Sequence, residues 1–134
     1  EDSISLMPAF RDPGTTVRGH VIHHSLDGKF AIRDRKWKLV LCPGSGGWSK
    51  NDAEAFREGL PIVQLYNMEA DPGEKSNLWE HYPGQVRAMA ALLVRLVDEG
   101  RSTPGQKQRN DAAVDIWKID TLTEDDGMSL DDLG

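Results

Sequence analysis

The feature that most constrains this chain is a change of hydrophobic period along it. In the segments Lys29 to Arg33 and Lys36 to Leu41 large apolar residues recur at every second position, and between Gln85 and Glu99 apolar residues recur at every third or fourth. Period two marks strands with one covered face, and the longer period marks an amphipathic helix. In the segment Lys36 to Leu41, Trp37, Leu39 and Leu41 take one side, and Lys36 and Lys38 the other. In Lys29 to Arg33, Phe30 and Ile32 take the apolar side. A third segment runs from Val17 to Ser25. "LDG" separates it from the second, and Asp34-Arg35 separates the second from Lys36 to Leu41, so both joins predict tight hairpins. "IVQLYN", residues 62 to 67, predicts a fourth strand. In the helix Val86, Met89, Ala90, Leu93, Leu96 and Val97 form one stripe, and Gly100 stops it. That stripe is the cover an antiparallel sheet with one wet face requires. The expected class is α+β.

The remaining segments read less sharply. "DSISLMPAF" looks like the end of a helix, capped by Asp2 or Ser3 and limited by Pro8. "RDPGTT" is a turn. Residues 42 to 61 form a long connection, with a helical turn around Ala53 to Arg57. "EADPGEKSNLWE" predicts a turn and then a short helical start, with Asp71 bonding forward to the backbone. "DAAVDIWKI" fits a short docked helix or strand, and "TLTEDDGMSLDDLG" an acidic, loose end. The chain has the length of one domain. It opens "EDSISLMPAF", without a starting Met, and is expected to be the middle or end of something longer.

Charge narrows the partners. The net charge of −6 lies wholly in residues 115 to 134, which hold seven acids and one base. Residues 1 to 114 balance fifteen acids against fifteen bases, so bulk charge gives no case for nucleic acid. No apolar run approaches the roughly 18 residues of a membrane span. The expectation is no nucleic-acid and no membrane partner.

Several residues look reactive. His20, Ile22 and His24 share one strand face, and Val21, His23 and Ser25 the other. At ~3.3 Å per residue, His20 and His24 stand ~13 Å apart along the strand. Zinc ligands converge within about 2.1 Å of one ion, so the three histidines cannot form a metal site alone. Two readings stay open: hydrogen-bonded strand histidines, or one of His23 and His24 facing a pocket at a domain junction and donating to an anion. Cys42 closes a strand, and its default is a buried structural thiol. Lys29, Arg33, Arg35, Lys36 and Lys38 crowd one hairpin, either as a solvated face or as a surface for phosphate or sulfate. "GSGG", residues 44 to 47, lacks the ending and the helix of a phosphate loop. No two carboxylates stand ready for acid–base work.

Taken together, these segments resemble the C-terminal subdomain of the sulfatase family, the arylsulfatase-like hydrolases of sulfate esters, over about residues 1 to 110. "EDSISLMPAF" is similar to the family's D-S-x-x-L-x-P-A-L segment, which ends its large α/β domain. "VIHHSLDGKFAIRDRKWKLVLCPGSGGWS" is similar to its H-H-S-x-x-G-x-F-A-I-R-x-G-x-W-K-L-x-x-x-P-G-S-G-G-W-S stretch. "QLYNMEADPGEKSNL" is similar to L-Y-N-L-x-x-D-P-x-E-x-x-N-L, the most specific of the set. "LVDEGRSTPG" fits the closing helix. The resemblance implies a small four-stranded antiparallel sheet with one long C-terminal helix packed across it. It divides the chain into residues 1–12, the end of the preceding domain's last helix; residues 13–110, the subdomain; and residues 111–134, an acidic, partly disordered tail.

The resemblance further implies a parent enzyme that hydrolyses sulfuric esters with a formylglycine, made from Cys or Ser in C/S-x-P-S/A-x-R, beside a calcium ion. That equipment is expected in the parent's N-terminal α/β catalytic domain, which becomes the implied partner. Cys42 fails the motif, because Pro43 stands at plus one and Gly46 where Arg belongs. No catalytic residue, metal ligand or cofactor is therefore expected in this chain, and alone it is expected to be inactive. His23 and His24 match the H-H-S positions and are the substrate-binding candidates, for a sulfated substrate. Arg35 stands where the family usually has Gly in the hairpin turn. If the position needs positive φ, Arg costs roughly 1 kcal/mol. Export to the periplasm or outside is common in the family. The rival reading is a stand-alone binding module for a sulfated or other anionic glycan.

Overall fold

The computed structural model describes residues 5–16, 19–25, 28–45, 51–101, 103, 105–110 and 112–117. Helix α1, Met7–Arg11, comes first, followed by strands β1 (His20–His24), β2 (Phe30–Asp34) and β3 (Trp37–Val40). Helix α2 (Asp52–Arg57), strand β4 (Gln64–Asn67) and helix α3 (Pro83–Glu99) complete the order. The four strands form one antiparallel sheet in the order β1-β2-β3-β4. The class is α+β, as the periods require.

The register explains why one face is dry. Ile22 pairs with Ile32, Ile32 with Leu39 and Leu39 with Leu65, so four apolar residues line up across all the strands. Opposed residues in a ladder share a face. Helix α3 lays Met89, Leu93 and Leu96 against this row, and all three are buried. Fully burying one such side chain stabilises by about 1.5–3 kcal/mol. Ring contact between Trp37 and Tyr82, centroids 5.0 Å apart, ties the start of α3 to β3. The far end stops at Gly100, at φ 68°. A Cβ there would stand 2.4 Å from the Gln108 carbonyl oxygen, so the position excludes side chains on two counts.

The outer edge of β4 is finished by side-chain chemistry. Asn77 Oδ1 accepts from the Leu65 amide at 2.9 Å and from the Trp79 amide at 3.2 Å. Asn77 Nδ2 donates to the Val63 carbonyl at 3.1 Å, and the Leu78 amide to the Leu65 carbonyl at 2.8 Å. Residues 77–78 thus satisfy an edge that would otherwise invite another strand. The expected helical start after "DPGE" shrinks to a single turn, in which the Leu78 carbonyl accepts from the His81 and Tyr82 amides, because the Asn77 side chain and the Leu78 amide are engaged with the chain at 63–65.

Other boundaries differ in instructive ways. Pro8 lies in the first turn of α1 and starts the helix, where its missing N–H costs nothing, rather than limiting it. Residues 1–4, which hold the expected cap, lie outside the described residues, as do 17 and 18 of the first strand segment and 118–134 of the tail. The second hairpin turns on Arg35 and Lys36, since Asp34 pairs with Trp37. Residues 112–117 are neither helix nor strand, but Ile116 docks in the hydrophobic core. Helix α2 forms where a helical turn was expected, capped by the Asn51 side chain, which accepts from Ala53 N at 2.8 Å.

Candidate functional site

The face of the sheet opposite α3 carries a hollow of about 360 Å³. Its origin is one cross-strand row. His23 pairs with Ala31, Ala31 with Val40 and Val40 with Gln64. Ala31 and Val40 are small and form the floor. The residues one step along the strands are long: Lys29 and Lys38 rise around that floor, with Tyr66 beside Gln64. A depression results because short side chains sit in the middle of a face of long ones.

The wall on the β4 side is built by hydrogen bonds. Tyr66 Oη donates to Gln64 Oε1 at 2.5 Å. Gln64 Nε2 donates to the carbonyls of Cys42 (2.6 Å) and Gly44 (2.8 Å). The Gly44 amide donates to Asp52 Oδ1 at 3.0 Å, which links the wall to α2. Gln64 thereby fixes the chain leaving β3. Burial raises the Tyr66 phenol above its ordinary pKa, and the nearby Glu74 and Asp71 carboxylates and Cys42 push it the same way.

Lys38 forms an ion pair with Glu74, which stands on the "DPGE" turn at φ 53°. The turn is held as the sequence implies. Asp71 accepts from the Lys75 amide at 2.9 Å and the Ser76 amide at 2.9 Å, and these donors, Ser76 first, hold its carboxyl below the ordinary range. No carboxylate here is placed as a calcium ligand, and among the described residues no three His, Cys, Asp or Glu side chains converge.

His23 and His24 both line the hollow, at the β1 edge. They reach it differently. His23 belongs to the open face by register. His24 belongs to the helix face, rests on the Phe30 ring with centroids 4.3 Å apart, and borders the rim at the strand's end. His20 does not line it. The basic cluster divides: Lys29, only 5% exposed, and Lys38 line the hollow, while Arg33, Arg35 and Lys36 do not. Lys36 instead sits 5.6 Å over the Trp37 ring. Cys42 lines the wall as a buried thiol, 2% exposed, with Sγ 3.6 Å from the Gly44 carbonyl. Gln64, Tyr66 and Glu74 escaped the sequence reading. The alternation of Gln64 and Tyr66 along their strand is the available signal for those two, but placing them beside Lys38 needs the strand register, and Glu74, in a turn, carries no such signal.

No family model matches the chain. A search of curated proteins finds similarity to the N-acetylgalactosamine-6-O-sulfatase of Bacteroides thetaiotaomicron, 31% identical over 81 residues. The matched region is similar to part of a sulfatase. It spans 58% of this chain and only 15% of the length of that relative. A solved structure, from work on the metabolism of multiple glycosaminoglycans by Bacteroides thetaiotaomicron, is similar at a TM-score of 0.46 and 26% identity. It covers 60% of this chain and 17% of that one.

Proposed function

We propose that this sulfatase-like region is the C-terminal subdomain of a sulfuric ester hydrolase, and that it binds substrate without performing the chemistry. The observation that carries the reading is the hollow, with His23 and His24 on its edge and buried Lys29 beside them. Imidazole and ammonium groups donate hydrogen bonds to the oxyanion of a sulfate ester. The name of the Bacteroides relative supports a sulfated amino sugar as the ligand class.

The chain's own residues do not fit the family's reactive groups. Cys42 is buried, bonds within its loop and lacks the motif around it, so no formylglycine step is derived from it. The described residues offer no carboxylate cluster for calcium. Both belong, in this reading, to an N-terminal α/β catalytic domain as partner. The short helix α1 supports such docking, because Leu6, Met7 and Phe10 are exposed, Phe10 by 78%.

Two measurements test the two halves. Incubated with an aryl sulfate and calcium, the chain is expected to give no turnover, and turnover above blank would sink the non-catalytic half. Titrated with N-acetylgalactosamine 6-sulfate, it is expected to shift the amide resonances of residues 23 and 24. His23→Ala and His24→Ala are each expected to weaken that binding about 5- to 30-fold, the loss of one charge-assisted hydrogen bond. Unchanged affinity in both variants would remove the site.

A further inference from the structure

The hollow has two ends of different character. At the β1–β2 end stand His23, His24 and Lys29. At the β3–β4 end stand the Lys38–Glu74 ion pair and the Tyr66 hydroxyl. Between them lies the floor of Ala31 and Val40. Strands about 4.8 Å apart and residues about 3.3 Å apart along them place the backbones of His23 and Lys38 about 12 Å from each other, and the side chains lining the hollow from both ends shorten that to the span of one sugar unit.

Glu74 is the one carboxylate among the described residues lining the hollow. Its backbone sits at φ 53°, a conformation that side chains disfavour. It is held there by the Glu74 amide donating to the Asp71 carbonyl at 3.1 Å and by the Asp71 carboxylate on the next two amides. Surroundings that over-determine a strained residue are a pointer to its use. The product of this strain is a carboxylate delivered to Lys38.

Such a pair treats ligands unequally. A hydroxyl both donates and accepts, so it can meet the ammonium and the carboxylate together. A second sulfate or a carboxylate finds the charge of Lys38 already answered and Glu74 beside it. It must break the pair or lie against a like charge, which is selection by repulsion. We infer that Glu74 is a specificity-determining residue: the hollow takes a sugar unit with one anionic substituent, directed to His23 and His24, and rejects a unit with a second anion at the Lys38 end. The inference rests on the substrate-binding reading above.

The test is a titration of the 134-residue chain with N-acetylgalactosamine 6-sulfate and with its 4,6-disulfate, followed by amide resonances. The monosulfate is expected to bind about tenfold tighter, the usual scale of one like-charge contact near a surface. Glu74→Gln keeps the size and removes the charge. It leaves Lys38 unanswered, so the ratio is expected to fall to one or reverse, and the monosulfate is expected to weaken only by about threefold because the Gln oxygen still accepts from the hydroxyl. Equal affinities in the parent chain would overturn the inference, as would a variant that weakens both ligands by one factor, the mark of a merely structural role. Failure to bind the monosulfate at all would instead remove the site itself, and the inference with it. If Glu74→Gln melts early, Glu74→Asp serves as the second variant. It is expected to keep the preference, and losing it while folded would count against the proposal.

Discussion

The two faces of the sheet are made by alternate residues of the same strands, yet they are built on opposite rules. The helix face is filled: Ile32, Leu39, Leu65 and Leu93 are all fully buried. The open face is deliberately underfilled at Ala31 and Val40 and walled by polar groups that hold one another. On the first face volume decides stability. On the second, the hollow is the room that the proposed ligand would fill. Side chains one position apart therefore answer to different selection.

The largest effects should separate the faces cleanly. Leu93→Ala, on the helix face, is expected to cost about 3 kcal/mol in denaturant unfolding, from lost burial and the cavity left behind. Ala31→Leu adds bulk on the open face, where the hollow has room for it. Ala31 is itself buried, but the added bulk points into the hollow, so the expected cost is about 1 kcal/mol, the low end for overpacking, with loss of monosulfate binding because the floor is filled. A large destabilisation by Ala31→Leu would show that the open face is packed in its own right, and the contrast would collapse.

Much of this contrast was legible in the sequence. Trp37, Leu39 and Leu41 against Lys36 and Lys38 gave the two faces outright, and the stripe Val86 to Val97 gave the cover. Gly100 marked the end of α3, and Asp71 its own turn. The hollow was not legible. A concavity depends on which residues stand opposite each other, and pairing Ala31 with Val40 requires the register. The same holds for Asn77, whose bonds to Val63, Leu65 and Trp79 tie this segment to the sheet edge and hold the helical start that composition favours to one turn. Local sequence reports which face a residue takes. It does not report which neighbour it meets.

A smaller effect sharpens the open face by pH. Tyr66 titrates above its ordinary value in the fold, so the folded state favours the neutral phenol. A raised pKa contributes stability that is complete below the unfolded value of about 10 and is lost as pH rises from there through the folded value. Unfolding free energy is therefore expected to fall above about pH 10. Tyr66→Phe should flatten that fall while slightly lowering stability at neutral pH, because the bond to Gln64 goes. Parallel curves for the two proteins above pH 10 would mean that burial of this phenol is not felt.

The smallest effect compares two residues with the same backbone angle. Arg35 and Glu74 both sit at φ 53°. Arg35 occupies the first position of a two-residue hairpin turn, and its side chain is exposed. Its peptide bonds would survive in glycine: the amide donates to the Gly19 carbonyl, and the carbonyl accepts from Arg33 Nε at 3.2 Å. Arg35→Gly therefore removes about 1 kcal/mol of strain and gives part of it back as unfolded-state entropy, for a net gain of about 0.5 kcal/mol. Glu74→Gly relieves the same strain but deletes the partner of Lys38 from the open face. Its expected change is nil to unfavourable, because the lost ion pair offsets the relief by up to about 1 kcal/mol. Thermal melts of the two variants side by side decide the matter. If both gain equally, the Lys38–Glu74 pair contributes nothing to the fold. If Arg35→Gly loses stability, the arginine makes a contact worth more than its strain.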